Sequence, residues 1–305
     1  MRAVDANYEI MAVNGESEEL AEKCGRICYK SEPKGDAGAF IRARVGGGHE
    51  TVVGHITHCF AISSMIPSWR KQDIYKLVMD TPGFYLSEIP GKIITSMNAQ
   101  SLRRAVMEGS STAGYLLAKI KPQFPNTYYG VWPEGAHDPL EFMEVLSSEE
   151  RLALPSPDLF LHNYMTVKFT CDRGVSHELV RHRLAVYSQE STRWVNFNNT
   201  GISIIHPKGL TETQRARRED HFWQTQAIYE AEIAEGQPPQ IARGVLPTAL
   251  STTIAMTATF HEWRLVFNQR SKGTTGKPHP QMKELMDSLL VEAAYAYPNA
   301  FGDLL

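Results

Sequence analysis

The stretch NYMTVKFTCDRGVSHELVRHRLAVYSQESTRW, residues 163–194, decides how this chain is read. NYMTVKFTC (163–171) alternates and is rich in β-branched side chains, the pattern of a half-buried strand. Through Gly174 it passes into VSHELVRHRLAV, where Val175, Leu179, His182 and Val186 recur at helical spacing. It closes on RHRLAVYSQESTRW (Arg181–Trp194), which holds three arginines, a histidine, two serines and a glutamate. Arginine's planar fork makes paired, charge-assisted hydrogen bonds to phosphate. Ser188, Ser191 and Thr192 add short donors, and Arg193 follows at Ser-x-Arg spacing, so the segment suits a phosphate monoester. A solvated charged face is the plain alternative. The apolar company of Val180, Leu184, Val186, Tyr187 and Trp194 argues instead for a packed region, where a buried arginine needs a partner.

Working outward, SEELAEKCGRICYKS (17–31) reads as a helix with Leu20, Cys24, Ile27 and Cys28 on one face. Gly46–Gly48 break the chain, and a strand is expected from near Ile56. Residues 61–162 are punctuated by prolines, with one expected helix around Ala99–Glu108; they read as an insertion, not a separate domain. Thr211 and Gln214 form a capping-box pattern opening a helix that turns Phe222, Tyr229 and Ile233 inward and stops at Gly236. LSTTIAMTATF (250–260) is β-rich, and helices are expected over 261–270 and over QMKELMDSLLVEAA, with Met282, Leu285, Met286, Leu289 and Leu290 on one stripe. The expected class is α+β, a mixed sheet with flanking helices, built as a single domain over 1–305 with an insertion at about 61–162.

Composition narrows the function. The 305 residues are 42% hydrophobic and 21% charged, enough to bury a sizeable core, and the net charge of −3 argues against a general polyanion binder. No apolar run approaches a bilayer span, and the N-terminus lacks the marks of a secretory signal. Four irregularly spaced cysteines make no disulfide framework. These readings give a cytoplasmic protein without membrane or nucleic-acid partners. His49, His55, His58 and Cys59 could ligate a metal, but His58 and Cys59 would face opposite sides of a strand, so no metal is expected. GTTGKP lacks P-loop spacing. A DNA-reading helix would need a second basic element.

Arg181-His182-Arg183, seven residues and then Ser191 match the signature of the flavin-dependent thymidylate synthases, and SQESTRW resembles that family's SQESTRY. GRICYKS (25–31), GHET (48–51), IARGVLP (241–247) and EWRLVFNQR followed by PHPQM resemble further family segments in the same order. The resemblance implies C5 methylation of deoxyuridine monophosphate (dUMP), with methylenetetrahydrofolate as carbon donor and NADPH-reduced FAD as hydride source. It also implies homotetramers with shared active sites. By match to the family, Arg270 activates the pyrimidine ring. Arg193 and Arg243, with the Ser191 loop, grip the phosphate. Gln189 and Glu190 line the same pocket. Arg181, His182, Arg183 and Gln189 contact FAD, with Arg181 near the nucleotide as well; His49 and Thr51 lie along the flavin or its diphosphate, and His279 beside the flavin.

The chain departs from compact members in places. Glu178 stands where a glutamine often contacts the nucleotide, so it either binds ribose hydroxyls or turns away. Thr259-Phe260-His261 replaces an Asn-x-Arg that commonly helps hold FAD, leaving His261 at that position. SKGTTGKP (271–278) looks like an insertion before His279.

Overall fold

The computed structural model describes residues 2–132 and 142–305, so Pro133 and Pro139 of the insertion lie outside the described residues. Among the described residues ten strands run in chain order: β1 (Arg2–Ala3), β2 (Asn7–Val13), β3 (Thr57–Ser63), β4 (Phe84–Ile89), β5 (Lys92–Asn98), β6 (Met143–Val145), β7 (Tyr164–Asp172), β8 (Ala185–Gln189), β9 (Ser203–Ile204) and β10 (Ser251–Thr259). They form two four-stranded antiparallel sheets, ordered β2-β7-β10-β8 and β4-β5-β3-β6, and a short parallel pair, β1-β9. With helices on both sheets, the class is α+β as expected.

The first sheet carries the signature. β7 and β10 are almost wholly buried because the helices Phe260–Arg270 and Pro280–Ala296 pack on one face. The second helix presents its expected stripe, Met282, Leu285, Met286, Leu289 and Leu290, all buried. The capping box at Thr211 and Gln214 forms, and its helix runs from Glu212 to Ala234. Gly236 follows at φ +92, a left-handed geometry that stops a helix at little cost only with glycine.

The second sheet lies in the region read as an insertion. The hairpin β4–β5 and the helices Ser68–Asp80 and Ser111–Ile120 have no counterpart in the sequence reading, whereas the helix expected near Ala99–Glu108 runs Ala99–Met107. A buried polar joint ties the sheets together. Asn14 Nδ2 donates to Asn163 Oδ1 (2.7 Å), and Asn163 Nδ2 donates to the Arg151 carbonyl (2.8 Å). The fully buried Arg151 donates to the His162 carbonyl (2.9 Å) and to Glu16 (3.0 Å).

One local expectation fails. The helix after Gly174 spans Arg173–Leu179 and stops, and Val186 lies on β8. β8 pairs antiparallel with β10, Val186 opposite Thr257 and Ser188 opposite Ala255. Sheet pairing overrides the helical period of the apolar residues. Among the described residues no helix is long and apolar enough to cross a membrane.

Candidate functional site

The helix Arg173–Leu179 begins at Asp172, whose carboxylate accepts from Val175 N–H (2.8 Å). Seven residues at about 1.5 Å each make it about 10 Å long. A polar cluster stands at each end.

At its C-terminal end a cavity of about 470 Å³ is lined by Arg181, His182, Arg183, Glu262, Gln269 and Arg270, among others. Arg270, the last residue of its helix, reaches across to donate from Nε to His182 Nε2 (3.3 Å). Its NH1 donates to Glu178 Oε2 (3.1 Å) and its NH2 to the Glu178 carbonyl (3.3 Å). An Nε2 that accepts from Arg270 carries no proton, which puts the ring proton on Nδ1, facing Glu262 Oε1 at 3.5 Å. Glu262, His182, Arg270 and Glu178 thus form one polar chain in which the imidazole ring lies between Glu262 and the guanidinium and Glu178 holds its far side. Tyr187 buttresses it by donating to the Leu179 and His182 carbonyls (2.7 and 2.9 Å). Burial, and then the nearby Glu262 charge, push the Tyr187 phenol well up, so it stays a donor.

The N-terminal end meets the second cluster. Arg243 donates to Thr192 Oγ1 (3.2 Å), and Arg193 donates to Gln240 Oε1 (3.1 Å) while stacking on Trp194. Ser191 Oγ accepts from the backbone N–H groups of Arg193 and Trp194, which closes a turn. Gln189 Nε2 donates to Ser176 Oγ (2.8 Å), tying this turn to the helix. Arg173 sits among these groups with NH1 buried and without a hydrogen-bond partner among the described residues. Burial and the Arg243 charge lower its pKa, and Glu190 pulls the other way. Glu190 is buried, pairs with Lys30 (3.2 Å) and opens onto a broad polar cleft of about 950 Å³ that includes Arg26 and Lys168.

Behind these clusters runs a sealed hydrogen-bond chain. Ser188 meets His55 Nε2 at 2.9 Å, His55 Nδ1 meets Thr257 Oγ1 at 2.7 Å, and Thr257 meets Thr166 Oγ1 at 2.7 Å. Burial pushes the His55 pKa down to about 3, so the ring is neutral and bolts the 3-10 segment Glu50–His55 to β8. His58 turns elsewhere, edge-on to Phe124.

Several sequence-picked residues lie apart from both clusters. His49 and Thr51 are exposed at the start of the 3-10 segment, His261 is exposed near the start of its helix, and His279 is exposed as the residue capping Pro280–Ala296. The packing argument for the signature also needs correcting. Val180, Leu184 and Trp194 are 40%, 60% and 63% exposed, and Arg181, Arg183 and Arg193 are exposed with them. The tight turn 180–184 joins a short helix to an antiparallel strand and leaves these side chains on its outer side. Sequence reasoning missed Arg173, Thr192 as a partner, and Glu262. Asp172 before Arg173-Gly174 is an N-cap signal that places Arg173 in a helix's first turn; nothing in the sequence signalled Glu262.

Comparison with known proteins places these clusters in context. Residues 152–299 match the family described as thymidylate synthase complementing protein. A flavin-dependent thymidylate synthase of Geobacter sulfurreducens is 38% identical over 92 residues, 30% of this chain and 40% of that protein. One from Pyrococcus furiosus is 25% identical over 150 residues, 47% of this chain and 62% of that protein. The UMP/dUMP methylase PolB from Streptomyces cacaoi overlays at a TM-score of 0.46 with 12% identity, covering 99% of this chain and 95% of that one. The chain therefore spans less than two thirds of the length of these thymidylate synthases. Both polar clusters fall largely inside residues 152–299, the segment that matches the family described as thymidylate synthase complementing protein.

Proposed function

We propose that this protein is a flavin-dependent thymidylate synthase that methylates dUMP at C5, taking the carbon from methylenetetrahydrofolate and releasing tetrahydrofolate. Bound FAD, reduced by NADPH, would supply the hydride that completes the methyl group. The observation that carries this reading is the convergence of Arg270 with the Arg181–Arg183 signature on one cavity. A guanidinium against the pyrimidine edge stabilises charge on the ring as C5 becomes nucleophilic. The Glu178 and His182 bonds hold Arg270 in place for that role.

At the other end of the helix, Arg173, Arg193 and Arg243 with the Ser191 turn offer a grip for the nucleotide phosphate. The buried NH1 of Arg173, which lacks a protein partner, supports this. Gln189 and Glu190 stand beside it as the polar lining. Arg181 and Arg183, exposed and without ion partners among the described residues, fit the anionic FAD, with His182 between them. His49, Thr51, His261 and His279 lie on exposed surface, which fits a flavin site completed by other subunits of a homotetramer. The chain acts as one unit over 1–305, with about 61–162 as an insertion, in the cytoplasm.

The test is the visible spectrum of the purified protein together with tritium release from dUMP labelled at C5. Flavin bands that bleach with NADPH, and release that depends on folate, are expected. Colourless protein that binds no flavin would overturn the reading.

A further inference from the structure

A small cavity of about 180 Å³ lies on the far side of the signature turn and shares Arg183 and Leu184 with the Arg270 cavity. Its outer wall comes from the insertion: Pro82, Gly83, Tyr85, Asn98 and Ser101. Its inner wall comes from the first sheet, through Tyr164, Val186, Thr257 and Ala258. Gly54 forms the floor; a Cβ there would stand 2.8 Å from Val186 Cγ1, so glycine lets the 3-10 segment lie this close.

The volume suits one or two fused rings and is well below that of a pocket for a whole drug-sized molecule. Two tyrosines and the apolar faces of Pro82, Val186 and Ala258 favour something flat. The polar groups narrow the chemistry. Asn98 Oδ1 is occupied by the N–H of Ser101 (2.8 Å), so only its amide N–H₂ is free to donate. Ser101 Oγ is bound to the Pro82 carbonyl (3.0 Å), and Thr257 Oγ1 is taken up by His55 and Thr166. On the shared wall, Arg183 carries a charge with no ion partner among the described residues. The cavity lining therefore offers neutral donors, the Asn98 amide and the Tyr164 hydroxyl, which is buried without a hydrogen-bond partner among the described residues, and one cation at its edge. That combination complements a planar nitrogen heterocycle bearing a carbonyl group, on a molecule that is anionic further along.

We propose that this cavity is a co-substrate pocket, in which the insertion holds the carbonyl-bearing heterocycle of the hydride donor or the carbon donor beside the Arg270 cavity. The inference rests on the reading above, since nicotinamide and pterin are the two co-substrate rings that share this chemistry. It gives the insertion a role in selecting what enters.

The experiment uses the flavin-loaded enzyme and measures KM for NADPH and for methylenetetrahydrofolate separately, with dUMP affinity and flavin content alongside. Asn98→Asp keeps the cap acceptor but replaces the amide donor with a like-charged acceptor, and Ser101→Phe fills the space. Each is expected to raise KM for one co-substrate at least tenfold while flavin content and dUMP affinity hold. The co-substrate that responds identifies the ring. Arg104→Ala, on the exposed face of the same helix, is the control and leaves both values within twofold. Should Ser101→Phe not fold, Asn98→Asp decides alone. If both KM values stay within twofold in Asn98→Asp with flavin and dUMP bound normally, the pocket assignment is wrong and the thymidylate synthase reading stands. If wild-type protein binds neither flavin nor dUMP, that reading falls and takes the pocket with it.

Discussion

Replacing Arg270 with alanine separates catalysis from folding, because the structure sets different magnitudes for the two. For stability, the change removes an ion pair to Glu178 whose side chains are 18% and 28% exposed. A partly solvated pair of this kind contributes about 1 kcal/mol, and Glu178 can turn to water once released. In a domain of this size that is a shift of only about 2–4 °C in Tm. For catalysis, under the proposed function the change removes a preorganised donor aimed at developing ring charge, an expected loss of about a hundred- to a thousandfold in kcat. Arg270→Lys sharpens the comparison. A lysine keeps the charge and can pair with Glu178, but its single ammonium cannot also serve His182 Nε2 as the guanidinium fork does. It should restore stability and recover only part of kcat. The assay is tritium release from C5-labelled dUMP at saturating co-substrates, with thermal unfolding and flavin absorbance on the same samples. A kcat within threefold of wild type in Arg270→Ala would refute the assignment of ring activation to this residue.

Three further outcomes are expected. Arg173→Met removes a buried donor that has no protein partner, so unfolding free energy should hold or rise by about 1 kcal/mol while dUMP affinity drops at least tenfold; a loss of stability with unchanged affinity would make Arg173 purely structural. Arg151→Met leaves Glu16 and the His162 carbonyl without their buried partner and should cost about 3–5 kcal/mol by urea unfolding; a change below 1 kcal/mol would refute its role as the joint between the sheets. Burial holds His55, His58 and His162 neutral with pKa values near 3, below the ordinary value of 6.5, so the unfolded chain binds more protons in between. Stability should therefore be full above about pH 6.5 and fall as pH drops toward 3, by up to roughly 2 kcal/mol per histidine between pH 6.5 and 5; a urea midpoint no lower at pH 5 than at pH 7.5 would contradict it.

What was legible in the sequence follows from the kind of signal each element carries. β7, β10 and the last long helix were readable because their periodicity matches the face they bury, and Thr211 and Gln214 because a capping box is a local hydrogen-bond device. β8 was misread because AVYSQ is short, and its state depends on β10, more than sixty residues away in sequence. The insertion hairpin β4–β5 escaped because Pro90 and Gly91 mark its turn within a region where prolines are frequent. In the site, the arginines and hydroxyls of the signature were visible as a local cluster. The partners that give them geometry were not, since Glu262 and Arg173 become informative only once β7, β8 and the helix Phe260–Arg270 are folded together.

The placement of charge bears most directly on function. The guanidiniums that hold the fold each have a partner: Arg26 with Glu22, Arg103 with Glu50, Arg151 with Glu16 and Arg264 with Asp303. Among the described residues the signature arginines have no such partner. Arg181 and Arg183 stand exposed, Arg193 and Arg243 have only neutral partners, and half-buried Arg173 has one buried nitrogen without a partner among the described residues. A chain with 34 acidic residues has ample means to neutralise them. Leaving cations unpaired close together costs stability through mutual repulsion; at Arg173, burial first and then the Arg243 charge lower the pKa. An anionic ligand removes that cost when it binds. Arg270 is the exception, paired with Glu178; under the function proposed above, that contrast is a division of labour in which one guanidinium is held in place for chemistry while the others wait for phosphate.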